Sequence, residues 1–144
     1  MHPIDTPPLP DLAISVVLFH SPLEQLQHLL DSLIVAAVRA DLEQVDLVCV
    51  DNSEDRHYTM QCQALCDTYV ESVLRVTVLT SAQNKGYGSG HNQALQVVQS
   101  RFHLLLNPDV QLDGEALRIA IETMDALPDI ALLAPIGLSA TGHN

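Results

Sequence analysis

The sequence predicts an α/β domain: a doubly wound, mostly parallel sheet with helices on both faces. Three observations carry that reading. Short apolar runs rich in β-branched residues recur along the chain, suited to strands buried on both faces. Segments with apolar residues at helical spacing lie between them. Polar or glycine-rich clusters follow the runs instead of interrupting them, which is the order of a repeated strand–helix unit.

Residues 1–11, MHPIDTPPLPD, hold four of the eight prolines and read as a flexible lead-in to one domain over 12–144. Ile14 to Phe19 (ISVVLF) forms the first predicted strand. It stops at His20-Ser21-Pro22, where Ser21 is placed to cap a helix, Pro22 fits its first turn and Glu24 completes a capping box. Leu23, Leu26, Leu30, Leu33 and Ala37 then repeat at helical spacing. Val45 to Val50 is a second strand ending in Asp51-Asn52-Ser53, followed by a helix with Tyr58, Cys62, Leu65, Cys66 and Tyr69 on one side. Leu74 to Leu79 is a third strand. The most glycine-dense stretch, Asn84 to Gly90 (NKGYGSG), leads into a helix through Ala94, Leu95 and Val98. Phe102 to Leu106 is a fourth strand, broken at Asn107-Pro108-Asp109. A helix opened by Asp113 or Gly114 carries Leu117, Ala120, Ile121 and Met124, and Ile130 to Ala134 reads as a last short strand.

Composition narrows the function. Hydrophobic residues make up 47%, enough for a core, and mean hydropathy is +0.17. Six basic residues face 18 acidic ones, for a net charge of -12 and a pI near 4.6. Such a surface repels phosphate backbones and anionic headgroups, which argues against nucleic-acid binding and polybasic membrane binding. No apolar run approaches the ~20 residues of a membrane span. The lead-in has neither a basic n-region nor an apolar h-region, and three cysteines do not suggest a disulfide framework. The expected location is the cytosol.

In a doubly wound sheet, ligands bind outside the carboxyl ends of the strands. His20-Ser21, Asp51-Asn52-Ser53 and Asn107-Pro108-Asp109 all fall there. Gly86, Gly88 and Gly90 let backbone approach a ligand, and the helix after them favours an anion, so a phosphate-bearing ligand fits. The loop reads equally as a plain turn with glycines at positive φ. It is not a dinucleotide fingerprint, a Walker loop or a G-x-S-x-G elbow. Asp51 and Asp109 each follow an apolar strand, where the bland role is capping. Ser53 and Asp55 could share that role with Asp51. Pro108 fixes the backbone before Asp109, and one carboxylate suffices for a hard divalent ion whose shell diphosphate and water complete. His57, Cys62 and Cys66 lack a fourth zinc ligand at normal spacing, so buried packing is the reading for the two cysteines. His2, His28, His103 and His143 have no identifiable partners. His20 and His91 lie beside the predicted pocket.

Taken in order, four segments resemble the nucleotide-binding half of a family-two glycosyltransferase with the GT-A fold, especially the rhamnosyltransferase-like branch. They are ISVVLFHSP, VDLVCVDNSED, NKGYGSGHNQAL and FHLLLNPDV. The last resembles the strand ending in a metal-binding D-x-D motif, with Asn107 in place of its first aspartate. The resemblance covers residues 12 to about 138. It implies that Asp51, with Asn52, contacts the nucleobase or ribose, and that Phe19, His20 and Ser21 line the nucleotide pocket. It further implies that Gly86, Gly88 and Gly90 pack near the donor and that Asn92 faces it. Asp109, with Asn107, would hold Mg2+ or Mn2+ on the diphosphate. The implied partners are a nucleotide-diphosphate sugar (dTDP-rhamnose or a UDP-sugar) and a saccharide or lipid-linked acceptor, as in cell-surface polysaccharide synthesis at the inner face of the membrane.

An inverting transferase also needs a carboxylate base for the acceptor hydroxyl. In this family it lies well after the metal motif, and only 35 residues follow Asp109 in the 144-residue chain. The expectation is a donor-binding half cut before the acceptor half, weakly active alone and prone to self-association through uncovered surface. Two rival readings share the fold. A response-regulator receiver would use Asp51 as phosphoacceptor, but acidic residues after the first strand and a lysine after the last are missing. A non-catalytic sugar-nucleotide-binding protein would keep both Asp51 and Asp109.

Overall fold

A computed structural model describes residues 8–81 and 83–139, so Met1 to Pro7 of the predicted lead-in, His2 and His143 fall outside the described residues. Four strands, β1 (Leu12–Leu18), β2 (Val45–Asp51), β3 (Leu74–Thr80) and β4 (Phe102–Leu106), alternate with four helices. These are α1 (Leu23–Arg39), α2 (Arg56–Asp67), α3 (Tyr87–Val97) and α4 (Ala116–Ala126). The sheet order is β3-β2-β1-β4 and every pair is parallel. The predicted doubly wound α/β class therefore holds.

Alternation along β1 distributes the layers. Leu12, Ile14, Val16 and Leu18 face the main core with Leu26, Leu30 and Leu33 of α1, Tyr58, Cys62 and Cys66 of α2, and Leu117 of α4. Ala13, Ser15 and Val17 face the other way, where Val17, Val48 and Val50 pack on Ala94 of α3. β1 and β2 are buried along their whole length, because each has a strand on either side and helices above and below. β3 and β4 are edges and only partly covered. Leu30 and Leu33 are wholly buried, and truncating such a leucine to alanine costs about 2–5 kcal/mol.

Two expectations fail locally. Ile130 to Ala134 is not a strand: after the turn at Leu127–Ile130 the chain runs on to residue 139 without regular structure. It pairs with neither sheet edge, and Leu132, Ile136 and Leu138 stay more than half exposed. An apolar run becomes a strand only where a ladder partner meets it. The capping box at Ser21 also does not form. Pro22 is the N-cap residue of α1, its own carbonyl accepting from the Gln25 and Leu26 amides, and no side chain caps the helix. The Ser21 carbonyl instead accepts the Tyr58 hydroxyl at 2.7 Å.

Candidate functional site

The strand order places the ends of β2, β1 and β4 side by side. The crossover helices change face between β1 and β4, as α1 leaves on one face and α3 arrives on the other. That change of direction is the switch point at which open α/β sheets hold ligands.

After β1, His20 has φ 52°, a left-handed conformation that few non-glycine residues adopt and that concentrates at functional sites. Its ring meets Phe19 edge-on at 5.0 Å and lies 5.6 Å from Tyr58. Phe19 is exposed. The result is an aromatic lip beside the end of β1.

After β2, Asp51 is buried and held from two sides. Oδ1 accepts the Ser53 amide at 2.8 Å, and Oδ2 accepts the Thr59 hydroxyl at 2.5 Å. Each oxygen keeps a lone pair free for a ligand donor. Capping of α2 falls to Asp55, which accepts from the His57 and Tyr58 amides, so Asp51 is released from the bland role. A cleft of ≈ 450 Å³ opens here, lined by Asp51, Glu54, Asp55, Arg56, Thr59 and Thr80, among others. A second cleft of ≈ 360 Å³ lies at the opposite ends of β2 and β3, beside Asp46 and Arg75, away from where this architecture binds ligands.

Asn52 joins β2 to the glycine loop. Its amide donates to the Leu18 carbonyl and its Nδ2 to the Gly86 carbonyl at 3.2 Å, while its buried Oδ1 has no hydrogen-bond partner among the described residues. Asn84 Oδ1 accepts the Gly86 amide at 2.9 Å. Gly86 has φ 89°, which requires glycine, and Gly90 presses on β1 so closely that a Cβ would sit 2.6 Å from Val17 Cγ2. Gly88 has open space around it, and Asn92 is exposed on α3.

After β4, Asn107 and Asp109 are exposed on a turn closed by the Val110 amide on the Asn107 carbonyl at 3.4 Å. Both offer hard oxygens to solvent. Asp51, Asn52 and Gly86 are thus joined on one side of β1, with Asn107 and Asp109 at the end of β4 on its other side.

The thiols stand apart from this site. Cys49, Cys62 and Cys66 are free and buried between β2 and α2. Burial pushes the Cys62 thiol up to about 11, and the Cys66 hydrogen bond together with burial raises Cys49. Cys49 and Cys62 therefore stay protonated, whereas the hydrogen bond with Cys49 lowers Cys66.

Sequence reading missed Thr59 and the role of Ser15. It placed His91 beside the pocket but gave His103 no partner, whereas both rings meet Ser15 Oγ, His91 buried and His103 half-buried. Ser15 and His103 had a signal: both are polar residues within apolar strands. Thr59 had none, because only the first turn of α2 brings it to Asp51.

Residues 15–140 match the family model for glycosyl transferase family 2, and the chain belongs to that family. No curated protein sequence matches it. Among solved structures it is similar to TarS of S. aureus, residues 1–349, at 24% identity with a TM-score of 0.65, covering 81% of this chain and 32% of that one. TarS in complex with UDP-GlcNAc gives the same identity and TM-score. The mannosyltransferase PcManGT of Pyrobaculum calidifontis, in complex with GDP-Man and Mn2+, aligns at 16% identity with a TM-score of 0.68, covering 85% of this chain and 36% of that one. These are likenesses of fold, and the chain spans about a third of the length of those structures. Family membership displaces the receiver reading, and a buried Asp51 bonded at both oxygens is ill placed to accept a phosphoryl group.

Proposed function

We propose that this glycosyltransferase domain binds a nucleoside-diphosphate sugar across the switch point, for inverting transfer of the sugar to a saccharide or lipid-linked acceptor. The observation that carries it is Asp51: buried, oriented by Ser53 and Thr59, relieved of capping by Asp55, and facing a cleft. The free lone pairs of Asp51 accept from the base or ribose. Phe19, His20 and Ser21 form the wall at the end of β1. Gly86 and Gly88 bring backbone to the diphosphate at the start of α3, and Asn92 stands one turn in. Gly90 serves the site by letting α3 sit down on Val17.

Asn107 and Asp109 fit a hard divalent ion, Mg2+ or Mn2+. Among the described residues no group of three or more ionisable ligands is gathered in one place, so an exposed amide and carboxylate oxygen would leave most of the shell to diphosphate and water. A cation bound there neutralises charge on the departing nucleoside diphosphate. Asp113, Glu115 and Glu122 are committed to α4: Asp113 accepts the Glu115 amide, and Arg118 bonds both glutamates. None of these three is offered as the acceptor's base. The donor is dTDP-rhamnose or a UDP-sugar, the former favoured only by the resemblance to the rhamnosyltransferase-like branch.

Thermal unfolding with UDP, dTDP and GDP, each with and without Mg2+ or Mn2+, tests the reading. At ~100 times its Kd a ligand adds about 2.7 kcal/mol, which is several degrees for a domain of this size. The expected shift needs metal and disappears in Asp109→Ala. A cooperative melt that no nucleotide moves would overturn donor binding and leave a family fold without its ligand.

A further inference from the structure

The glycine loop and the Asn107-Pro108-Asp109 turn lie on opposite sides of β1, and one buried hydroxyl joins the elements that carry them. Ser15 Oγ on β1 is 2.6 Å from His91 Nδ1 on α3 and 2.8 Å from His103 Nε2 on β4. Ser15 is fully buried and His91 is 2% exposed. A hydroxyl has one proton and two lone pairs, so it donates to one ring and accepts from the other, or accepts from both. The His91 ring also meets Tyr87 edge-on at 4.3 Å, while its Nε2 has no hydrogen-bond partner among the described residues.

Position suggests what the trio does. His91 sits between Gly90 and Asn92, just over one turn from Gly86, whose carbonyl Asn52 holds. His103 is four residues before Asn107. We propose that the Ser15–His91–His103 network positions α3 and its glycine loop relative to the strand leading to Asp109, and that acidification releases this coupling. Its consequence for donor binding rests on the function proposed above; the coupling itself does not.

A protonated imidazole has two N–H donors and no acceptor. With both rings charged, neither can take the Ser15 proton, and two cations meet across one oxygen. Burial holds both histidines below their ordinary range, and for His91 the neighbouring His103 adds to it. The other titratable groups on this face are few. Tyr87 is on α3, which carries no acidic residue. Asp46 stands in the row of His103 across Ala13, but the Arg75 guanidinium pairs with it at 2.7 Å. Arg101, at the foot of β4, is paired with Asp11 and Asp125.

The test is NMR of the whole chain without nucleotide, following the histidine rings and backbone amides from about pH 8 to pH 5. The Gly86 and Asn107 amides should shift with one midpoint shared by the His91 and His103 rings, below about 6.5. Ser15→Ala should abolish that shared midpoint. His103→Gln, similar in size and still hydrogen-bonding, should remove it from Asn107 while Gly86 keeps the response of His91. Amides that stay still while both rings titrate, or that follow the His20 ring, would overturn the coupling. A chain that shows the coupling yet binds neither UDP nor GDP with Mn2+ would refute the donor site alone.

Discussion

Of three glycines in one short stretch, two are required, each for a different reason. Gly86 is required by its backbone, since φ 89° strains any residue with a Cβ. Gly90 is required by packing on Val17, and Gly88 by neither. Gly90→Ala should therefore lower stability by about 1–3 kcal/mol, the usual cost of overpacking, as read by urea unfolding. Gly88→Ala meets open space in the first turn of a helix and should be neutral or stabilising by up to about 1 kcal/mol. Equal losses in both variants would mean that α3 does not seat on β1 as described. Asp51 makes the same point about roles. The sequence offered capping or ligand contact, and Asp55 takes the capping while Thr59 and Ser53 orient Asp51.

Among the elements, α2 depends most visibly on a single side chain. Asp55 accepts the His57 amide at 2.9 Å and the Tyr58 amide at 3.3 Å, filling donors that a helix start leaves open. Asp55→Ala should cost about 1 kcal/mol and lower the melting temperature by several degrees. Asn at the same position should restore most of it. An unchanged melting temperature would show that water caps the helix as well. α1 has no side-chain cap and is held instead by its apolar stripe against the sheet, with Leu26, Leu29, Leu30 and Leu33 wholly buried. The start of α1 was misread because Ser21 satisfied a local pattern while its carbonyl was claimed by Tyr58, 37 residues away.

For the whole molecule, buried His91 and half-buried His103 make stability depend on pH. The unfolded chain takes up protons at His91 and His103 near pH 6.5, while the folded chain resists them. The unfolded state then binds more protons, so folding stability is full above about 6.5 and falls as the pH drops from there toward the lowered folded values. Urea unfolding at about pH 7.5 and 5.5 should show the loss, and Ser15→Ala should change its size. Stability that rises as the pH falls over this interval would contradict the lowering of both rings. On the opposite face of the sheet the main core is packed by α1, α2 and Leu117 of α4.

The sequence by itself determined the α/β class, all four helices, four of the five strands expected and the fact that Asp51, Asn52, Asn107 and Asp109 fall at or just past strand ends. These rest on local periodicity and on polar clusters following apolar runs, which neighbouring residues encode. Only tertiary structure decided the rest. Ile130 to Ala134 has the composition of a strand and lacks a ladder to join. Thr59 reaches Asp51 because α2 begins where Asp55 caps it. Ser15, His91 and His103 lie 76 and 88 positions apart along the chain, counted from Ser15, and meet because β1 separates β4 from β2 beneath α3. A hydrogen bond between distant residues depends on strand order and register, and no local pattern records either.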